Sequence, residues 1–440
     1  MVTQQAEPLS APGSWASQFI RGDEVNSEIY TSPEIFEREV QKIFHATWNY
    51  VAHESEIPNQ GDFVTRVIGR QPVVVVRGDD GVCRILMNRC RHRGALICEV
   101  QRGNQSHFRC FYHGWTYDNS GKLVHIPKDD AYPPDFDLES RGLTPAPRVE
   151  IYRGFIFGSV NPAVGSLREF LGLAAAKMDL MIDASPTGEL FLDAGIHKSQ
   201  YRGNWKFVGM DGYHPPVVHQ SAFEIFKRKA VAEHGGEDSA AAQAPRKTMN
   251  DSPLAVSRDL GGGHVMLDVV PHRISEKEHH LASMRRQKDG EAYIAAMTAA
   301  YGAERASELI AIGGDPHLGV FPNLQLINQH VRVTVPIAAD RTEVYLYPVR
   351  LGGISDAMNE KRLRKHEEFY GAAGMGQPDD TEIFERNTDG LQATVNPWVD
   401  LSRGRNREYV DSDGSIVGKI SDEVTQRGQM REWSRLMSAS

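Results

Sequence analysis

Two short runs carry the densest chemistry in the chain: Cys90-Arg91-His92-Arg93-Gly94 and Cys110-Phe111-Tyr112-His113-Gly114-Trp115. As spacing they read C-x-H, seventeen residues, C-x-x-H. Thiolates and imidazoles so placed are metal ligands, and two chemistries suit them. One is a closed tetrahedral zinc site. The other is a [2Fe–2S] cluster in which one iron takes the cysteine pair and the other the histidine pair. The two differ in how the ligands interleave. A zinc finger typically pairs Cys with Cys and His with His along the chain. Here each half supplies one of each, as two opposed β-hairpin loops gripping a cluster would. Neutral histidine ligands raise the potential above that of an all-thiolate cluster, which suits a centre that receives electrons and passes them on. Cys83 and Cys98 bring the cysteines to four within 28 consecutive positions, but show no partner pattern. They read as small buried apolar residues.

The residues around the ligands, Cys-x-His-Arg-Gly and Cys-x-x-His-Gly-Trp, closely resemble the Rieske signature. About 280 residues follow that unit, far more than a small electron carrier needs. In them, Asn204-Trp205-Lys206 leads to Asp211, His214 and His219. An Asp followed by two His behind a Rieske motif resembles the mononuclear iron site of Rieske non-haem iron ring-hydroxylating oxygenases, specifically their large (α) subunit. Two imidazoles and one carboxylate on one face of Fe(II) leave positions open for O2 and substrate. The resemblance implies that the carboxylate comes from Gln377-Pro378-Asp379-Asp380-Thr381, where the second Asp is the ligand in the family. That assigns Asp380, with Asp379 as the alternative and a helix beginning at Thr381. The resemblance gives Asp211 a different role, a bridge between His113 of one subunit and His214 of the next. A carboxylate there orients both rings, as partners of metal-bound imidazoles do.

The chain departs from the family in two places. Only Phe207 to Met210 separate Asn-Trp-Lys from Asp211, fewer residues than is usual. Pro215-Pro216 sits between the iron histidines, which on a regular helix would point about 140° apart. A distorted or bulged turn is needed to make them converge, and the prolines make a regular helix unsuitable.

Downstream, Leu324 to Val335 alternates with period two. Ile327, Val331, Val333 and Val335 are expected on one face and Asn328, His330, Arg332 and Thr334 on the other. The polar face is either solvated or a pocket wall. In the second case Arg332 anchors a substrate carboxylate; otherwise it faces solvent or a neighbouring subunit. Trp398 to Arg405 resembles a stretch in family members that act on aromatic acids, and reads equally as a surface loop.

Around these residues the elements follow. Residues 26–45 have helical spacing. From Gly61 the pattern is β-like (Phe63–Val67, Val73–Arg77, Cys83–Met87), making 46–160 a compact all-β unit. Helices are expected over Leu167–Met181, 290–311 and 357–370, with antiparallel strands within Leu318–Val335 and Glu343–Val349. Residues 231–263 read as a long loop or lid over the pocket. Gly261-Gly262-Gly263 is loop-like, without a strand before it, so no dinucleotide-binding loop is expected. The fold class is α+β: an all-β Rieske domain at 46–160, and a catalytic domain from 1–45 and 161–440, whose antiparallel sheet is surrounded by helices.

Composition bounds the rest. Forty-nine Lys+Arg against 58 Asp+Glu, a net charge of −9, lack the basic footprint of a nucleic-acid binder. No apolar run nears the roughly 18 residues of a membrane span, and no secretory signal is visible, so a cytoplasmic protein is expected. The resemblance implies a [2Fe–2S] cluster, a mononuclear Fe(II), an aromatic, carboxylated substrate, and O2 entering it as a cis-dihydrodiol. It also implies electrons from NADH through a separate reductase, sometimes with a ferredoxin, and a small β subunit in an α3β3 assembly. Two other readings are a monooxygenase or demethylase on the same metals, and an electron-transfer protein without the second iron.

Overall fold

The computed structural model describes residues 8–211, 252–327, 329–374 and 376–439; for Met210 and Asp211 it describes the backbone alone. His214, His219, Asn328 and residues 231–251 of the expected lid lie outside the described residues. The chain packs as two compact units, Val40–Phe170, and Met1–Glu39 with Leu171–Ser440.

In the first unit the strands are β1 (Asn49–His53), β2 (Asp62–Ile68), β3 (Gln71–Arg77), β4 (Cys83–Met87), β5 (Arg102–Asn104), β6 (His107–Arg109), β7 (Thr116–Asp118), β8 (Leu123–His125), β9 (Arg148–Tyr152) and β10 (Phe155–Ser159). They form antiparallel sheets in the orders β4-β3-β2-β5, β8-β7-β6 and β9-β10-β1. Val73 to Val76 is continuously apolar because both faces of β3 are covered. Val73 and Val75 pack with Val64, Ile85 and Ile156. Val74 and Val76 pack with Phe63, Phe108, Trp115, Cys90 and Cys110. Each fully buried valine contributes roughly 1.5–3 kcal/mol. Cys98 is buried in the second cluster, and Cys83 is half-buried with its thiol pushed up to about 11, chiefly by burial.

The second unit is built on an antiparallel sheet, nine-stranded among the described residues. Its strands are β11 (His197–Tyr201), β12 (Val256–Asp259), β13 (Val265–Asp268), β14 (Leu318–Val320), β15 (Leu324–Ile327), β16 (His330–Ala338), β17 (Arg341–Pro348), β18 (Tyr409–Val410) and β19 (Ile416–Lys419). The spatial order is β11-β17-β16-β15-β14-β13-β12-β19-β18. Helices α1 (Pro33–Glu39), α2 (Gly290–Tyr301), α3 (Ala303–Ile312), α4 (Asp356–Tyr370), α5 (Gln377–Gly390) and α6 (Val424–Ser438) belong to the same unit. This is the α+β architecture expected from the sequence.

Several boundaries differ from expectation for local reasons. The expected helix over 290–311 is two, because Gly302 at φ +79° ends the first, its N–H bonding Thr298 O. The expected loop 231–263 contains β12, so a strand does precede Gly261-Gly262-Gly263. Those glycines all have positive φ and turn β12 back into β13, with Leu260 N–H bonding His264 O at 2.8 Å. A strand, not a helix, follows them, and a phosphate cradle needs the helix.

The alternation over 324–335 also changes. β15 ends at Ile327 and β16 begins at His330, a hairpin rather than one strand. Ile327 pairs directly with His330, and directly opposed residues share a face. Ile327 therefore lies with His330 and Arg332, not with Val331. Nor is that face solvated: His330, Arg332 and Thr334 are all buried. The hypothesis that Arg332 faces solvent falls.

Candidate metal centres and their supports

The two Cys-His loops share one hydrogen-bond plan. Cys90 N–H bonds Ala95 O at 2.8 Å and Gly94 N–H bonds Cys90 O at 2.9 Å; Cys110 N–H bonds Trp115 O at 2.8 Å and Gly114 N–H bonds Cys110 O at 3.0 Å. Both loops close on a glycine in the left-handed region, Gly94 at φ +77° and Gly114 at +71°. A Cβ on Gly114 would also meet Pro127 at 2.9 Å. Asn88 pins the base of the first loop. Its Oδ1 accepts from Ile97 and Cys98 N–H at 3.0 and 2.9 Å, and its Nδ2 donates to Cys98 O at 2.7 Å.

These loops bring the four ligands together two by two. The Cys90 and Cys110 thiols lie against each other, 3% and 2% exposed, within the core cluster. The imidazoles of His92 and His113 meet edge to face with centroids 4.6 Å apart, and His92 stacks on Trp115 at 5.0 Å and 7°. His92 Nδ1 is buried and has no hydrogen-bond partner among the described residues. Burial, then His113 and Arg93, pulls the His92 pKa below its ordinary value, which keeps the ring neutral as a ligand must be. An orphaned imidazole nitrogen beside a second ring, over a buried thiol pair, fits two irons that each take two protein ligands.

Further donors surround the sulfurs. Backbone N–H groups of Tyr112 and His113 point at the Cys110 thiol. The Tyr117 hydroxyl lies 3.5 Å from Cys90 Sγ and accepts from Arg91 N–H at 3.0 Å. A thiolate can only accept, so against a metal-bound Cys90 the hydroxyl would be the donor. Neither Tyr117 nor Asn88 stands out in the sequence, although Tyr117 follows Trp115 at strand spacing. At the histidine end, Phe111 is wholly exposed and Tyr112 62% exposed, apolar surface beside the ligand rings.

In the second unit, Asn-Trp-Lys is an anchor. Asn204 Nδ2 donates to Tyr30 O and Ala339 O at 3.1 and 3.0 Å, and Tyr201 Oη donates to Asn204 O at 2.8 Å. Lys206 forms a fully buried ion pair with Glu39 of α1. Trp205 and Trp433 donate their indole N–H to the same carboxylate at 2.8 and 2.7 Å. Burial draws the Lys206 ammonium down, while Glu39 opposes the shift. No sequence signal marked Glu39. From this anchor the chain enters a π-helical turn, Phe207–Asp211, while the distorted turn expected between His214 and His219 lies outside the described residues.

Asp379 and Asp380 stand half-buried in the first turn of α5, which begins at Gln377, four residues earlier than expected. Gln377, Asp380 and Phe384 recur at i, i+3 and i+7, one stripe of that helix. Phe384 stacks on Phe207 at 5.9 Å and 9°, and Phe207 stacks on Tyr30 at 5.1 Å and 5°. Gln377 Oε1 accepts from the Arg332 guanidinium at 3.1 Å. Asp380 thus sits between a contact to the π-turn and a contact to the sheet, with Asp379 about 100° round the helix. Trp398–Asp400 is a strand paired with Glu24–Asn26, and Arg403 and Arg405 form ion pairs with Glu423 and with Asp23 and Glu408. Those arginines tie the chain to itself.

Residues 47–144 match the family model for the Rieske [2Fe-2S] domain. The chain is 34% identical to the anthranilate 1,2-dioxygenase large subunit of Acinetobacter baylyi, over 93% of this chain and 88% of that one. It is also 34% identical to the toluate 1,2-dioxygenase subunit alpha of Pseudomonas putida, over 86% and 80%. A naphthalene 1,2-dioxygenase structure with indole bound in the active site superposes with a TM-score of 0.78 at 25% identity, covering 95% of this chain and 92% of that one.

Proposed function

This chain belongs to the large (α) subunits of the Rieske non-haem iron ring-hydroxylating dioxygenases, and from that premise we propose that it adds O2 to an aromatic acid to give a cis-dihydrodiol. Electrons come from NADH by way of a separate reductase. The domains are taken as 46–160 for the cluster, and 1–45 with 161–440 for the iron. The observation that carries the reading is the two-by-two apposition of the cysteines and histidines, in a chain whose sequence also carries His214, His219 and Asp380.

Cys90 and Cys110 would hold one iron of the cluster, and His92 and His113 the other. His214, His219 and Asp380 hold the mononuclear iron, and Asp211 orients His214 and a neighbour's His113 as a positioning residue. When bound, the cluster supplies electrons one at a time and the mononuclear iron supplies the open face for O2 and substrate. The protein's own work is to keep the thiols dry, hold His92 neutral against Trp115, and support the iron-bearing segment through Glu39 and Lys206. The exposed Phe111 and Tyr112 beside the two histidines suit docking against another subunit. A ring of three such chains capped by small subunits, α3β3, follows if each cluster serves a neighbour's iron.

Reconstituted with reductase, Fe(II) and NADH, the enzyme is expected to yield a cis-dihydrodiol carrying two labelled atoms from ¹⁸O2. One labelled atom, or loss of a methyl group, would replace this with the monooxygenase or demethylase reading. Fully loaded protein holding two irons per chain instead of three would overturn it.

A further inference from the structure

On the covered face of β16, polar groups outnumber their partners. His330 is wholly buried and His366 nearly so, and neither ring nitrogen of either has a hydrogen-bond partner among the described residues. Arg332 donates to Gln377, but its Nε–H has no acceptor and it forms no ion pair among the described residues. Three other buried cations of this unit are matched, Arg427 with Glu408, Lys206 with Glu39, and Arg258 with Asp268 and Asp411, whereas Arg362 of α4, one turn before His366, likewise has an Nε–H without an acceptor and no ion pair among the described residues. A guanidinium offers five N–H groups, and burying its charge without a counter-charge costs more than one neutral hydrogen bond returns.

The groups acting on His330 are Arg332, His366, His317 and His197, every one basic. Burial above all holds His330 well below its ordinary pKa and His366 down at about 4, so both are neutral at pH 7. The charge left facing them is the guanidinium. Among the described residues the site therefore lacks one negative charge. A phosphate would bring nearly two and leave one unmatched.

We propose that Arg332 and His330, backed by His366, form the subsite that receives the carboxylate of an aromatic acid. The two lie two residues apart on one strand face, so both reach the same space. Arginine's planar fork takes a carboxylate through two charge-assisted hydrogen bonds, and the imidazole N–H adds a third donor. Tyr370 forms a wall for the acid's ring, its own ring 4.3 Å from that of His330 and 5.7 Å from the guanidinium carbon. Gln377, which holds Arg332 in place, is one turn before Asp380 on α5. The subsite thus rests on the reading of Asp380 as iron ligand in an oxygenase.

The test compares benzoate and 2-naphthoate with their carboxamides on the holoenzyme, by calorimetric binding and by product formation. The wild type should prefer each acid to its amide. In Arg332→Gln that preference should fall about 30-fold or more, the cost of unpairing a buried charge. Arg332→Lys should restore part of it, and His330→Asn should lower it less than Arg332→Gln does. Cluster absorbance and iron content establish that each variant is folded, and Arg332→Lys stands in if Arg332→Gln is not. A wild type without acid preference, or an Arg332→Gln or Arg332→Lys enzyme that keeps the full preference, overturns the subsite. Acid binding that depends on Arg332 without oxygenated product would sustain the subsite and overturn the oxygenase reading; products from neutral arenes alone would do the reverse.

Discussion

At the scale of single residues, the groups that tune the centres are not the groups that ligate them. The Tyr117 hydroxyl lies 3.5 Å from the Cys90 sulfur; against a metal-bound thiolate, which can only accept, it would be the donor, and such a hydrogen bond favours the more negative, reduced form. Tyr117→Phe should keep the cluster's absorbance but lower its reduction potential by tens of millivolts, about 59 mV being tenfold in a one-electron equilibrium. Spectroelectrochemical titration reads this directly, and an unchanged potential would show that the hydroxyl serves Arg91 N–H alone. Glu39 acts by charge. It is the sole carboxylate paired with Lys206 among the described residues and accepts two indole N–H groups as well. Glu39→Gln should cost about 3–5 kcal/mol of stability, since it leaves a buried ammonium unpaired. Urea unfolding would measure it; a loss under 1 kcal/mol would mean the pair is solvated or dispensable.

At the scale of elements, ligand geometry depends on which face of a helix or strand is turned inward. The α5 stripe Gln377, Asp380 and Phe384 is fastened at both ends, to Arg332 and to Phe207. That orientation separates two adjacent carboxylates that composition cannot tell apart. Asp380→Ala should leave two irons per chain with the cluster spectrum intact, whereas Asp379→Ala should keep three. Metal analysis after reconstitution decides it, and the opposite pattern would move the ligand to Asp379. The same logic governs the ligand loops, where closure by Gly94 and Gly114 in the left-handed region sets the cysteine–histidine spacing in space.

At the scale of the whole molecule, stability should depend on pH through histidines buried as neutral rings. His53 in the first unit and His366 in the second are both lowered to about 4, chiefly by burial. Their unfolded value is near 6.5, so between 6.5 and 4 the unfolded chain binds protons that the folded one refuses. Stability is therefore full above about pH 6.5 and falls as pH drops towards 4, by up to ~1.4 kcal/mol per unit for each ring. Below 4 these rings contribute no further loss. Thermal unfolding across pH 4–8 would check the window; a midpoint that stays flat between 6.5 and 4.5 would show that neither ring governs acid stability. No helix among the described residues is long and apolar enough to cross a membrane.

The candidate cluster residues were legible in the sequence because each Cys-His pair sits within four residues of one loop, where residue type and spacing are themselves the chemistry. The strands Phe63–Val67, Val73–Arg77 and Cys83–Met87 were legible for a related reason, since their period and turn glycines are local. The face of Arg332 was not, because a two-residue hairpin after Ile327 reverses the chain and puts Ile327 opposite His330. Alternation within a strand says which residues share a side, but which side is covered depends on helices from elsewhere in the chain. Asn204-Trp205-Lys206 looked like part of a metal motif, yet its meaning rests on Glu39, 167 positions from Lys206. Pairing a charge across that distance is a property of packing, because only the folded core removes the water that would otherwise solvate both ions.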